Sequence, residues 1–88
     1  MPYSRLDLEA FTVAQLKVLA DYLEISYNTS TLKGTLVDAV LDKQIYTQEY
    51  LEGLTLEELK DIAGIKIIAD YETMTEEQLI SAILATQV

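Results

Sequence analysis

The chain contains no cysteine and no histidine among its 88 residues. Without cysteine, disulfides, cysteine-ligated zinc and thiol chemistry are excluded. Without histidine, the chain lacks the usual proton shuttle near neutral pH and the commonest ligand of transition metals. No apolar run approaches the roughly twenty residues that span a membrane, and the N-terminus lacks the apolar segment of a signal peptide. We therefore expect a soluble, cytoplasmic protein without a membrane segment.

Basic residues are scarce, and the charge is uneven. Six Lys and Arg residues stand against fifteen Asp and Glu residues, which gives a net charge of −9. Residues 1–44 carry six acids and four bases, whereas residues 45–88 carry nine acids and two bases. Because nucleic-acid affinity depends largely on clustered Lys and Arg, this balance disfavours nucleic acid, above all in the second half. The acidic surface either keeps a small protein soluble or faces a basic partner.

The sequence repeats itself at an offset of 43 residues. The segment that begins at Leu8, L-E-A-F-T-V-A-Q-L-K-V-L-A, returns at Leu51 as L-E-G-L-T-L-E-E-L-K-D-I-A. A repeat of this period indicates two copies of one supersecondary unit, which we place at residues 1–44 and 45–88. Units this small are at the lower limit for an independent core. We therefore expect the two copies to pack together, as two domains or as one compact domain.

Each copy is predicted to form two amphipathic helices. Capping boxes are formed by Thr12 with Gln15, Thr55 with Glu58, and Thr75 with Gln78. The first helix is expected at roughly residues 12–23, and its counterpart in the second copy begins at residue 55. The second helices carry apolar stripes. These stripes are Leu32, Leu36, Val37, Val40 and Leu41 in the first copy, and Leu79, Ile80, Ile83 and Leu84 in the second.

The segments around these helices have their own signals. Polar or mixed stretches at residues 26–30 and 69–73 predict extended loops between the helices, because neither shows the alternation of a half-buried strand. The first is also rich in residues that hydrogen-bond their own backbone and compete with helix formation. Ser4 and Thr47 predict short capped helices in front of each copy. Gly64 predicts an early end for the first helix of the second copy, as a left-handed residue just beyond the helix.

Each copy is predicted to contain a short helix followed by a helix, an extended loop and a second helix. This order resembles the superfamily that includes the SAP, LEM, bacterial HeH and Rho N-terminal domains. F-T-V-A-Q-L-K-V-L-A (Phe11 to Ala20) and L-T-L-E-E-L-K-D-I-A (Leu54 to Ala63) match its frequent opening, L-T-x-x-E-L-K-x-L-A. Y-N-T-S-T-L-K-G-T-L-V (Tyr27 to Val37) is similar to the frequent start of its second helix, Y-s-K-x-x-K-x-E-L-I. The resemblance covers nearly the whole chain. It implies an all-α protein of two tandem helix–extended loop–helix (LEM/HeH-like) units packed together.

The resemblance implies two kinds of binding. SAP and Rho N-terminal domains bind nucleic acid through basic residues in the loop and at the start of the second helix. Of that set this chain keeps Lys33, and the second copy has Glu76 at the equivalent position. LEM domains bind proteins on the same scaffold, and small HeH-like proteins are similar to products of phages and prophages. A phage-encoded protein of this kind would be virion-associated.

We expect no enzymatic activity, no catalytic residue, no cofactor and no metal site. Without His or Cys, catalysis would need paired carboxylates or a perturbed lysine in a cleft. The acids Glu57 and Glu76 instead lie at predicted helix N-termini, where carboxylates oppose the helix dipole. The segment around Asp70 and Glu72 lacks the central glycine and the alternating oxygen ligands of a calcium loop.

The predicted function is a non-catalytic protein–protein interaction module, with a structural or assembly role in a phage or prophage. Its expected surface consists of loop residues 26–31 and 70–74 together with the starts of the helices that follow them. The candidate residues are Tyr27, Asn28, Lys33, Asp70, Tyr71 and Glu72. Tyr27 and Tyr71 either cover the gap between the helices of their own copy or serve as exposed aromatic anchors. We expect the partner to be a protein, and a basic surface on that protein would complement the acidic chain. Alternatively, the chain forms a homodimer that covers the apolar faces.

Two alternatives come from other functional classes. The first is weak nucleic-acid binding through the first copy. It would use the basic residues Arg5, Lys17, Lys33 and Lys43 and would weaken steeply as salt rises. The second is nucleic-acid mimicry, in which the acidic second copy blocks the basic groove of a DNA-binding protein.

Overall fold

The structure, a computed structural model, describes residues 2–87. The fold is all-α, as predicted, and residues 2–87 contain no β-strand. The helices are α1 (Arg5–Ala10), α2 (Val13–Tyr22), α3 (Lys33–Lys43), α4 (Gln48–Glu52), α5 (Leu56–Ile65) and α6 (Glu76–Ala85). Met1 and Val88, the outer ends of the two predicted copies, lie outside the described residues. None of the helices in residues 2–87 is both long and apolar enough to cross a membrane.

The described chain separates into two compact units, residues 2–44 and residues 45–87. The first unit contains α1, α2 and α3. The second contains α4, α5, a 3₁₀ turn (Tyr71–Thr73) and α6. The prediction of an extended loop at residues 69–73 is therefore wrong at the 3₁₀ turn. There the backbone N–H groups of Thr73 and Met74 each bond to a carbonyl three residues earlier.

The helices begin where the sequence predicts. The Thr12 hydroxyl accepts a hydrogen bond from the Gln15 N–H, and the Gln15 side chain accepts one from the Thr12 N–H. The same reciprocal pair is present at the other two predicted capping boxes and also at Ser4 with Asp7. Each box satisfies two backbone donors that the first helical turn leaves without a partner, which fixes the helix start locally.

The helix ends show where the sequence prediction fails. Gly64 lies inside α5 rather than beyond its end, so α2 and α5 both have ten residues. The left-handed residues are instead Glu24 (φ 60°) and Ile67 (φ 57°), which lie 43 positions apart. After each of them, an isoleucine N–H bonds to a carbonyl five residues earlier, at 2.8 Å in the first unit and 3.0 Å in the second. This Schellman motif ends both helices without a glycine.

Each unit buries its own apolar stripe. In the first unit the buried apolar residues are Leu8, Leu16, Ala20, Leu36, Val37, Val40 and Leu41. In the second they are Tyr46, Leu51, Leu59, Ile62, Ala63, Leu79 and Ile83. Leu32 does not belong to its predicted stripe, because it precedes α3 as the N-cap residue and is largely exposed. Ile80 and Leu84 are only partly buried.

A glutamine closes each unit. The side chain of Gln44 accepts a hydrogen bond from the Tyr3 N–H (2.8 Å) and donates one to the Tyr3 carbonyl (2.7 Å). Gln87 forms the same pair with Tyr46, at 2.7 and 2.9 Å. A carboxamide has a carbonyl acceptor and N–H donors side by side, so it can pair with both the N–H and the C=O of one backbone residue, as a neighbouring β-strand would. We call these two pairs the glutamine clamps.

Candidate interaction surfaces

The first predicted loop is held by its own side chains. The Asn28 side-chain oxygen accepts hydrogen bonds from the Ser30 N–H (2.9 Å) and the Ser30 hydroxyl (2.8 Å). The Asn28 N–H donates to the Thr31 hydroxyl oxygen at 2.9 Å. Short polar side chains commonly stabilise turns in this way. Asn28 therefore shapes the loop, and this role accounts for its side-chain oxygen.

Tyr27 lies against α2. The Lys17 Nζ atom is 5.7 Å from the centroid of the Tyr27 ring, a distance suited to a cation–π contact. A hydrogen bond to the Asp21 side chain, loss of hydration and the Asp21 charge raise the pKa of Tyr27 above its ordinary value of 10.0. The ring is partly buried. The ring therefore lies beside α2 and contacts side chains of its own unit.

The basic residues of the first unit mostly contact groups of that unit. Lys33 Nζ donates to the Glu9 carbonyl oxygen at 2.8 Å, which links the start of α3 to α1. Arg5 lies 3.1 Å from Asp38 in an ion pair that also joins α1 to α3. Lys43 is exposed in the last turn of α3, where a cation opposes the helix dipole favourably.

The second predicted loop has a different construction. Asp70 adopts a left-handed conformation (φ 59°), and its carbonyl accepts hydrogen bonds from the N–H and hydroxyl of Thr73. The Tyr71 ring packs where Gly64 has no side chain, since a β-carbon at Gly64 would lie 3.2 Å from the Tyr71 hydroxyl. Glu72 is exposed. Tyr71 is thus partly buried against its own unit, while the two acids face outward.

A further surface of the first unit lies outside the predicted candidates. A mainly apolar groove of about 420 Å³, the first-unit groove, is lined by Tyr3, Phe11, Gln15, Val18, Leu19 and Tyr22. Val18 is 70% exposed and Tyr22 is 82% exposed, although both are large apolar side chains on one face of α2. The rings of Tyr3 and Phe11 pack edge to face at 5.2 Å. The sequence signal was the spacing of Val18 and Tyr22, four residues apart but off the buried stripe.

The second unit has an acidic groove between α4 and α6, with a volume of about 640 Å³. This second-unit groove is lined by Gln48, Glu52, Glu76, Glu77, Gln78, Ile80, Ser81 and Leu84. The sequence pattern assigns Glu76 and Glu77 to a helix start, and it does not predict that α4 and α6 lie side by side. Within residues 2–87, no group of three or more acidic, His or Cys side chains is placed to hold a metal ion.

No protein-family model, no curated protein and no solved structure matches this chain. The structure places Tyr27, Asn28 and Lys33 in the first unit and Asp70, Tyr71 and Glu72 in the second. Most of these side chains have contacts within their own unit. Each of the two grooves combines apolar area with exposed side chains, and the two differ in charge.

Proposed function

We propose that this chain is a non-catalytic module that binds another protein, built from two tandem LEM/HeH-like units. The recurrence of capping boxes, Schellman motifs and glutamine clamps at the 43-residue offset supports the tandem arrangement. The resemblance described above motivates the further proposal of a structural or assembly role in a phage or prophage.

The observation that carries the proposal is the first-unit groove. Exposed apolar patches rimmed by polar residues are typical of protein interaction sites, and aromatic residues are enriched among those that dominate binding energy. Tyr22 projects its ring from the end of α2 with most of its surface in water. We propose that an apolar side chain of a partner protein occupies this groove and packs against Val18 and Tyr22. This surface replaces Tyr27 and Tyr71 as the proposed source of aromatic contact area.

The test compares variants in binding to a purified partner by calorimetry, once cross-linking has identified that partner. Val18→Asp combined with Tyr22→Ser should weaken binding about tenfold or more, since two central contacts are lost. The aspartate is compatible with the fold, because Asp61 occupies the equivalent position of α5. Leu6→Ser is the matched control, as Leu6 is 78% exposed but does not line the groove. Equal affinity in all three proteins would refute the assignment of this surface.

Direct nucleic-acid binding is tested separately. The isotope-labelled chain is titrated with mixed-sequence DNA at low and physiological salt and followed by NMR. We expect no shifts, because three of the four bases named for this role already contact groups of the first unit. Salt-sensitive shifts at Lys17 and Lys33 would instead establish the nucleic-acid alternative. Recovery of a basic DNA-binding protein that DNA displaces would establish mimicry.

A further inference from the structure

The second-unit groove has an equivalent place in the first unit, between α1 and α3. At the 43-residue offset, Gln48 corresponds to Arg5 and Ser81 corresponds to Asp38. Likewise Glu52 corresponds to Glu9, and Glu76 corresponds to Lys33. The first unit therefore shows what the same helix arrangement does with different side chains.

In the first unit, two cations join the helices across this place. The Arg5 guanidinium lies 3.1 Å from the Asp38 carboxylate. The Lys33 ammonium donates to the Glu9 carbonyl at 2.8 Å. Each contact runs from α1 to α3, so positive charge stands between the two helices at both points.

In the second unit, both cations are replaced. Gln48 stands in the place of Arg5 and Glu76 in the place of Lys33, and no Lys or Arg is among the described residues that line the groove. Three glutamates line it instead. Its apolar floor is also more accessible. Val37 and Leu41 are 1% and 2% exposed, whereas their counterparts Ile80 and Leu84 are only partly buried.

The arrangement suits an extended cationic partner better than a single ion. Glu52 accepts a hydrogen bond from the Gln48 side chain at 3.1 Å, and within residues 2–87 its carboxylate belongs to no group of three or more side chains that could hold a metal ion. Lys and Arg side chains combine an aliphatic stem with a charged head. Stems packed on Ile80 and Leu84 would place the heads beside the surrounding glutamates.

We propose that the second-unit groove binds a basic, amphipathic segment of another protein, whose Lys or Arg side chains supply the positive charge that Arg5 and Lys33 supply in the first unit. This surface is separate from the first-unit groove. Either assignment can therefore fail while the other holds.

The test titrates the isotope-labelled full chain with an amphipathic peptide made of lysine and leucine, followed by NMR. We expect shifts concentrated at Glu52, Glu76, Glu77, Ile80 and Ser81, which become smaller as salt rises. A peptide of glutamate and leucine should produce none. Spermidine, which carries charge without apolar surface, should bind at least about fivefold more weakly, because it gains nothing from the floor. Equal binding of spermidine, or shifts spread over all acidic surfaces, would overturn the proposal.

A matched pair of variants distinguishes peptide binding in the groove from attraction to the net negative charge of the chain. Glu77 and Glu57 are both the second residue of a helix that begins after a capping threonine. Glu77→Lys should weaken peptide binding about fivefold or more, while Glu57→Lys, which changes the net charge equally, should leave it within about twofold. Equal losses in the two variants would show attraction to net charge alone and overturn the proposal.

A third variant closes the groove from within the chain. Gln48→Arg with Ser81→Asp and Glu76→Lys installs the first-unit side chains and adds the same net charge as Glu57→Lys. We expect a folded protein that no longer binds the peptide. Dispersed NMR signals from core residues of the second unit and a cooperative thermal transition would show that the variant is folded. Glu77→Gln provides a milder measurement should either lysine variant fail to fold. Undiminished binding by the folded closed variant, or by Glu77→Gln, would overturn the proposal.

Discussion

The two units of this chain share a framework and differ in their surfaces. At equivalent positions both have a threonine capping box, a left-handed residue after the first long helix and a glutamine clamp. Their exposed positions have diverged, since Val18 corresponds to Asp61 and Lys33 corresponds to Glu76. The first unit consequently presents an apolar groove, and the second presents an acidic one.

The difference separates the requirements of folding from those of binding. Residues that recur between the units satisfy backbone groups or fill the core, whose energetic demands are the same in both. Surface residues contribute little to stability and can change without affecting the framework. The chain therefore offers its own controls, because a residue of one unit can be placed at the equivalent position of the other.

The largest expected effect comes from the glutamine clamps. Gln44→Ala should lower the free energy of unfolding by about 2 kcal/mol, because two backbone groups of Tyr3 lose their partners. Gln44 is only 5% exposed, whereas Gln87 is partly exposed and water can replace its bonds. Gln87→Ala should therefore cost less, about 1 kcal/mol. Urea denaturation of each variant measures both losses.

Two further variants sharpen this comparison. Gln44→Met keeps much of the side-chain volume. The decrease in its free energy of unfolding therefore reports the lost hydrogen bonds rather than lost packing. Gln48→Ala is the surface control and should change stability by less than about 0.5 kcal/mol. If Gln44→Ala behaves like this control, the clamp does not stabilise the first unit.

The sequence predicted features that depend on neighbouring residues and missed those that join distant ones. Capping boxes involve residues three positions apart, so their letters suffice to predict them. The clamps join residues 41 positions apart, and a glutamine carries no local signal for such a contact. The second-unit groove likewise requires α4 and α6 to be brought together. The residues that line this proposed site were therefore not predicted, because the site depends on tertiary packing.

At Gly64, the preference of glycine for positions just beyond helix ends gave a wrong prediction. Glycine is common just beyond helix ends, which led to the predicted early end of α5. The repeat indicates instead that Gly64 lies inside a helix, because it corresponds to Asp21, a residue inside α2. In the structure its missing side chain makes room for Tyr71 instead. The residue that adopts the left-handed conformation is Ile67. A β-branched residue is rare in that conformation, so the sequence does not predict it there.

A moderate effect is expected at the left-handed residues. Ile67→Gly should raise the free energy of unfolding by about 1 kcal/mol, because a β-branched residue is strained at positive φ and Ile67 is 88% exposed. Glu24→Gly should gain less, about 0.5 kcal/mol, since Glu24 is not branched at its β-carbon. Thermal and urea unfolding of both variants tests this order. A loss of stability in Ile67→Gly would show that the isoleucine packs usefully where it lies.

The smallest effect concerns Tyr27 at high pH. Its pKa is raised because the neutral phenol donates to Asp21, loses hydration and avoids a second negative charge beside that carboxylate. A raised pKa in the folded state means that this contribution is fully present below the unfolded pKa of 10.0 and is lost as pH rises through the folded value. The wild-type protein should therefore lose stability above about pH 10 more steeply than Tyr27→Phe does.

Asp21→Asn separates the charge from the ring. Lys17 remains beside the Tyr27 ring in that variant, so a change in the pH profile reports the carboxylate. We expect Asp21→Asn to lose the steep decline to a similar degree as Tyr27→Phe, because either substitution removes the repulsion between two anions. Unfolding curves from pH 8 to pH 11 measure this. If both variants retain the wild-type slope, Tyr27 covers α2 through packing alone and the Asp21 contact contributes nothing to the first unit. Gly64 is the second-unit counterpart of Asp21. In that case the important difference between the two positions would be the space that Gly64 leaves for the Tyr71 ring, and not the loss of the carboxylate.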